Sequence, residues 1–275
     1  MFQFTSPIDL RLRMCRDGTT LRARIAGPLD APAVVLMNSL CADVSMWAPQ
    51  FEALSDRYRV VGFDVRGHGR SDVGDVPFTL DLLVDDLREL VATLDLGRPH
   101  LVGLSLGGMI GIAAAARDPD AYASLAVCSA LADMPAALGA AWRKRAPVVA
   151  ASSCAAVVDG SLERWFTPGF AAAQPQTVAA VRAMIAATRS AGYCGVIDVI
   201  HDIRLSPLLP QLRLPTQFVV GAEDSASTPA IMGAMCAAVP GARLAVVEGA
   251  AHLPTLEQPE RIGAILGEFL DAVAR

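Results

Sequence analysis

Short apolar runs recur along this chain with helical patterns between them, and this alternation restricts the fold more than any other feature. The runs fall at residues 33–37, 58–63, 101–104, 124–128, 217–220 and 244–247, and several are continuous, as strands covered on both faces should be. Helical patterns occupy 47–54, 79–94, 107–117, 229–239 and 259–273. In the second of these, Leu80, Leu83, Val84, Leu87, Leu90, Val91 and Leu94 recur at three and four residues and set an apolar face against an acidic one. The pattern predicts an α/β domain with a mostly parallel central sheet flanked by helices. Near the N-terminus, runs at 8–14 and 19–25 flank Arg16-Asp17-Gly18, which predicts an antiparallel hairpin at the sheet edge.

From about residue 131 to 212 the strand pattern stops. Ala-rich helical pieces take over, broken by Pro135, Pro147, Pro168, Pro175, Pro207 and Pro210, and a strand resumes at Gln217. The expected organisation is therefore a core domain of 1–130 and 213–275 with a helical cap, 131–212, inserted over the ligand crevice.

Charge narrows the partners. With 23 basic and 28 acidic residues the net charge is -5, so no positive excess exists to neutralise nucleic acid or an anionic membrane. Residues 99–116 lack Asp, Glu, Lys and Arg, and mean hydropathy is +0.42, which raises the question of a membrane span. Gly103, Gly107, Gly108 and Gly111 interrupt the stretch, and a buried strand followed by a buried helix explains it better. The N-terminal MFQFTSPIDLRLR has no basic start followed by an apolar run, so no secretory signal is read there. Six cysteines without a C-x-x-C pair read as reduced thiols, not as a zinc site. A cytoplasmic chain acting on a small molecule, with no metal or cofactor, is the expectation.

Gly103-Leu104-Ser105-Leu106-Gly107 places G-x-S-x-G between an expected strand and an expected helix, the context in which that motif exposes a nucleophilic serine. Ser105 needs a general base. His100 is too close along the same strand, His201 lies in the inserted segment and His68 in a Gly-rich loop, whereas His252 follows the last strand. Asp224, after the strand at 217–220, is the choice for the group that orients the imidazole; Glu223 is adjacent, and Asp133 is a second candidate. Chain order Ser105, Asp224, His252 is that of α/β-hydrolases. The oxyanion donors expected are the backbone N–H groups of Leu106 and Leu40. Cys41 beside Leu40 invites a thiol-nucleophile reading, but no histidine is locally paired with it. Trp165, Met109 and Trp142 are the candidates for walls of a small substrate pocket, beside Phe166 and Tyr193.

Asn38-Ser39-Leu40, Met46-Trp47-Ala48-Pro49-Gln50, Asp64-Val65-Arg66-Gly67-His68-Gly69-Arg70-Ser71, the stretch from Gly103 to Met109, and Glu163-Arg164-Trp165-Phe166-Thr167-Pro168 together resemble the 3-oxoadipate enol-lactone hydrolases. The likeness runs from about residue 20 to the C-terminus. It implies an α/β-hydrolase fold and a cofactor-free serine hydrolase that opens a carboxylated enol-lactone to 3-oxoadipate in bacterial aromatic catabolism. Ser105, Asp224 and His252 match the family's triad, and Leu40 and Leu106 match its oxyanion positions.

There are departures. Cys41-Ala42-Asp43 stands where the family usually has Gly-Thr-Asp, putting a side chain where glycine allows close approach. Ser129-Ala130-Leu131-Ala132-Asp133 stands where relatives often have Asn-Thr-Ala-Ala-Arg; if that arginine binds the substrate carboxylate, Asp133 would repel it. Arg143-Lys144-Arg145 is the candidate replacement cation, against the plainer reading of a solvated helix face. A neutral carboxylesterase or a cofactor-free perhydrolase would keep the same triad, and a non-catalytic small-molecule receptor is the reading from a different class. Oligomeric state leaves no clear signature.

Overall fold

A computed structural model describes residues 3–273. The N-terminal stretch read above for a leader includes Met1 and Phe2, which lie outside the described residues. Strands β1 (Gln3–Arg13), β2 (Thr20–Pro28), β3 (Ala33–Met37), β4 (Arg59–Phe63), β5 (His100–Leu104), β6 (Ser124–Cys128), β7 (Thr216–Gly221) and β8 (Arg243–Val247) form one sheet in the order β1-β2-β4-β3-β5-β6-β7-β8. β1 and β2 are the expected antiparallel hairpin at one edge, and β2 also runs antiparallel to β4. The other pairs are parallel.

Continuous apolar runs account for this centre: every residue of β3, β5 and β6 is buried, as burial on both faces of a parallel sheet demands. β8 departs from that reading. Its run is apolar, yet as the outermost strand it is half-exposed, with Val246 at 41%.

Helices α1 (Ala48–Leu54), α2 (Leu80–Thr93) and α3 (Leu106–Arg117) belong to the first part of the chain. Thr79 caps α2 by accepting from Leu82 N–H, and Leu83, Leu87 and Leu90 form its buried stripe. The uncharged run at 99–116 is β5 followed by α3. No single helix among the described residues is long and apolar enough to cross a membrane.

Between β6 and β7 lie α4 (Ala136–Ala151), α5 (Val158–Trp165), α6 (Pro168–Ala173), α7 (Pro175–Ala187) and α8 (Ser190–His201); α9 (Pro229–Ala238), α10 (Pro254–Glu257) and α11 (Pro259–Val273) follow β7 and β8. The prolines of the inserted segment are mostly not breakers. Pro168 and Pro175 open α6 and α7, where a missing N–H costs nothing, and Pro147 sits inside α4, which runs through it. All six cysteines are free thiols.

The loop after β4 is held by a buried ionic network. Arg66, fully buried, donates to Asp86 at 2.7 and 2.6 Å and to Asp17 at 2.9 Å, while Asp64 accepts from Val44 N–H at 2.7 Å and Arg70 N–H at 2.9 Å. These bonds fix the Asp-x-Arg-Gly-His-Gly loop against α2 and the turn between β1 and β2, which gives that widely shared motif a structural role.

His68 within it is fully buried, its Nδ1 3.1 Å from Arg66 O. Burial pushes its pKa down from 6.5 to about 4, with Arg189 acting in the same direction and the Arg66 carbonyl opposing. Below pH 6.5 the unfolded chain binds a proton that folded His68 refuses until about pH 4, so stability present above 6.5 drains away across that window. The loss attributable to His68 is about 3 kcal/mol, from about 1.4 kcal/mol per unit. Urea unfolding of His68→Asn, whose amide can donate to the same carbonyl, should fall less steeply than wild type over that window; parallel curves would contradict the assignment.

Candidate active site

Ser105, Asp224 and His252 lie at the carboxyl ends of the parallel strands, where crevices of such sheets form. Ser105 follows β5 and opens α3. Its backbone is strained, with φ 54° and ψ -110°, and its N–H is tied to Cys128 O on β6 at 2.8 Å. The flanking glycines are required by contact: a Cβ on Gly103 would sit 2.2 Å from the carbonyl carbon of Gly107, and one on Gly107 2.1 Å from Met37 O. This crowding is what turns the chain sharply enough to present the serine.

Asp224, in the turn after β7, is 2% exposed. It accepts from His252 Nδ1 at 2.9 Å and Ser227 Oγ at 2.7 Å through one oxygen, and from Ala226 N–H at 2.8 Å and Ser227 N–H at 3.1 Å through the other. Burial alone would raise its pKa, but the His252 charge and these donors outweigh burial and hold the carboxyl well below the usual carboxylate range. His252 lies in the loop after β8. That loop is pinned by Glu257, which accepts from Ala251 N–H at 2.6 Å and from Thr167 N–H of the inserted segment at 2.7 Å, and by Leu253 N–H, which donates to Trp165 O at 3.1 Å.

Ser105 and His252 line one small cavity together with Ser39, Leu40, Leu106, Met109, Ser129, Trp142, Arg164 and Trp165, its remaining walls being mostly apolar. Among the described residues no hydrogen bond joins Ser105 Oγ to His252, a contact that in such sites often forms only once substrate is bound. The N–H groups of Leu40 and Leu106 face no protein acceptor among the described residues. The loop carrying Leu40 is locked to the serine turn by Gly107 N–H donating to Asn38 O at 3.1 Å. An imidazole oriented by a buried carboxylate, a serine beside it and two unused N–H groups in one cavity can activate a hydroxyl and stabilise an oxyanion.

The other histidines have separate partners. His100 Nδ1 is 2.8 Å from Ser124 Oγ, and His201 is held by Arg143 and Asp202 at the exposed end of α8. Glu223 does not line the cavity. Asp133 is turned away from it, accepting from Ser206 N–H at 3.1 Å, so it neither orients His252 nor opposes an anion there. Cys41 occupies its glycine-favouring position with φ 62° and is buried outside the cavity, where burial pushes its thiol well above the ordinary value. Of the Arg143-Lys144-Arg145 cluster, none lines the cavity: Arg143 and Lys144 are exposed, and Arg145 lies 5.0 Å over the Trp142 ring. The cation that does is Arg164, which sequence reasoning passed over as one letter of a shared motif. Ser129, buried and with φ 46°, was also missed as a wall; its Oγ has no partner among the described residues.

Comparison with known proteins agrees with this architecture. The alpha/beta hydrolase family model matches residues 34–265. A 3-oxoadipate enol-lactonase of Acinetobacter baylyi is 32% identical over 262 residues, covering 94% of this chain and 96% of its own length. The crystal structure of an enol-lactonase from Burkholderia xenovorans superposes with a TM-score of 0.90 at 34% identity, covering 95% of this chain and all of that one. A thermophilic esterase from Thermogutta terrifontis, solved with malate bound, has a TM-score of 0.90 at 29% identity over 97% of this chain and 99% of its own. The chain belongs to the alpha/beta hydrolase family and, along nearly its whole length, is similar to 3-oxoadipate enol-lactonases.

Proposed function

We propose that this hydrolase is a cytoplasmic, cofactor-free serine enzyme that opens a small carboxylated enol-lactone, 3-oxoadipate enol-lactone in the first instance, as a step in aromatic catabolism. The observation that carries the reading is the single cavity that collects Ser105, the Asp224-bound His252 and the unused N–H groups of Leu40 and Leu106. The names of the enol-lactonases it resembles support the substrate.

In the proposed mechanism His252 Nε2 takes the Ser105 proton as Oγ attacks the lactone carbonyl, and Asp224 stabilises the imidazolium. The oxyanion faces Leu40 and Leu106 N–H. Collapse breaks the ring C–O bond, the enol oxygen receives the proton from His252, and the enol tautomerises to a ketone within the acyl-enzyme. A water deprotonated by His252 then cleaves the acyl ester and frees Ser105. Residues 131–212 serve as a cap over this cavity, supplying Trp142 and Trp165 to its wall.

The apolar lining, Leu131, Met134, Leu138 and Ile200 included, favours a second reading, a neutral short-chain esterase. Steady-state assays of freshly generated 3-oxoadipate enol-lactone beside p-nitrophenyl butyrate separate the two. Lactone turnover well above ester turnover is expected. Ester turnover alone would move the protein to the neutral esterase, and turnover of neither would overturn the hydrolase reading.

A further inference from the structure

Cys41, which stands where the resembled family usually has glycine, has a partner in the inserted segment. It follows Leu40 in the loop after β3, holds φ 62° and is 2% exposed. Cys154 opens a short 3-10 helix, Cys154–Val157, between α4 and α5, and is fully buried. The two are far apart in sequence, yet the Cys41 thiol donates a hydrogen bond to the Cys154 sulfur, and the Thr188 side chain at the end of α7 also meets Cys41. That bond holds the Cys154 thiol below its ordinary value against the effect of burial, while burial pushes Cys41 up. The proton therefore rests on Cys41 and thiolate character on Cys154. Among the described residues no other two thiols share a hydrogen bond; Cys194 on α8, whose thiol feels the Cys154 charge, donates instead to Ala146 O at 3.4 Å. The pair joins two parts that the cavity needs. Ser39 and Leu40, just before Cys41, line it, and α4 and α5, on either side of Cys154, supply Trp142, Arg164 and Trp165 to its wall.

We propose that a hydroperoxide joins Cys41 and Cys154 in a disulfide that clamps the inserted helices to the loop carrying Leu40 and slows turnover until a dithiol reduces it. The Cys154 thiolate attacks one peroxide oxygen, the O–O bond breaks, and the leaving oxygen takes a proton, giving a sulfenic acid and an alcohol, or water from hydrogen peroxide. Cys41 sulfur then attacks the Cys154 sulfur, and the displaced hydroxide leaves as water with the Cys41 proton. Two thiols have lost two electrons and the peroxide has gained them. Burial of both sulfurs limits the reagent to a small molecule that enters on local opening of the inserted helices. A roof tied to the core can no longer part from it to admit substrate or release product, which is why turnover falls. That effect rests on reading the cavity as the hydrolase site; the cross-link does not.

The test treats the protein with hydrogen peroxide, blocks free thiols with N-ethylmaleimide and maps the unreduced digest by mass spectrometry. One linked peptide joining Cys41 to Cys154 is expected, lost on adding dithiothreitol. The cross-linked protein should melt about 5–10 °C higher, since the bridge closes a long loop of the unfolded chain. Its kcat on p-nitrophenyl butyrate should fall about 3- to 10-fold and recover with dithiothreitol, a recovery that oxidised methionines of the cavity wall would not show. Cys41→Gly, which suits the positive φ, and Cys154→Ala should each keep the turnover of reduced wild type and show neither response, while Cys194→Ser should show both. No linked peptide, a bridge from Cys154 to Cys194, a Cys41–Cys154 bridge that leaves melting and turnover unchanged, or a reversible fall that persists in Cys41→Gly and Cys154→Ala overturns the proposal. A reversible Cys41–Cys154 bridge that raises the melting temperature of a protein cleaving no ester or lactone would leave the clamp standing and the hydrolase reading fallen; ester turnover without the bridge would do the reverse.

Discussion

Replacing Ser105 with alanine should lower kcat by about 10⁶-fold on whichever ester or lactone the protein turns over, the scale of loss when a nucleophile acting as one unit with its base is removed. The effect is chemical and leaves the fold in place. Ser105 holds φ 54° because its N–H is tied to Cys128 O and because Gly103 and Gly107 pack too closely for any other path, and none of these contacts involves the hydroxyl. Alanine has the same Cβ and meets the same strain, so thermal unfolding should stay close to wild type. Steady-state kinetics with a circular-dichroism melt checks both halves. A folded variant keeping more than about 1% of wild-type turnover would remove Ser105 from the mechanism.

Asp224→Asn should cost about 10⁴-fold in kcat with little change in KM. The carboxylate accepts four hydrogen bonds, and two come from the backbone N–H groups of Ala226 and Ser227. In the asparagine variant the amide oxygen keeps those backbone donors, which leaves its NH₂ facing His252 Nδ1. The imidazole must then accept at Nδ1 and carry its proton on Nε2, the nitrogen needed to receive the Ser105 proton. Because its surroundings hold Asp224 well below the usual range, it is a carboxylate from about pH 5 to 9, the range over which the loss is to be read. The sign for stability follows from the same depression: the ionised form contributes stability that is present above 3.8 and is lost as pH falls below it. Kinetics of the variant across that pH range measures the first effect. A loss of under about tenfold would assign the orienting role elsewhere.

What could be read from the sequence was whatever depends on local pattern. The all-buried strands β3, β5 and β6 are continuous apolar runs, and each was legible to within a residue. Ser105 was legible because G-x-S-x-G has one steric meaning between a strand and a helix, and Asp224 and His252 because each follows a strand whose carboxyl end must lie beside it. Edge position is different. The run of β8 is as apolar as its neighbours, and nothing local says that no strand lies beyond it.

The inserted segment was least legible. Its helices α4 and α7 are Ala-rich with weak apolar faces, and the placement of the whole segment depends on packing between distant pieces, such as the Glu257 bridge from Ala251 to Thr167. Arg164 therefore reads locally as an ordinary charged helix residue and Arg143 as an equal candidate, and only the tertiary arrangement separates a cavity wall from an exposed end. Asp133 shows the same limit from the other side. Its place in the chain suggests a site residue, and its hydrogen bond to Ser206 N–H turns it away.

The central claim is that Ser105 is a nucleophile activated within this cavity, and covalent labelling addresses it most directly. Native protein treated with a fluorophosphonate probe and examined by intact and peptide mass spectrometry should carry one adduct, on Ser105, absent in Ser105→Ala and formed far more slowly in His252→Ala. No adduct on the native protein, or an adduct on another side chain such as Cys41, would contradict the account.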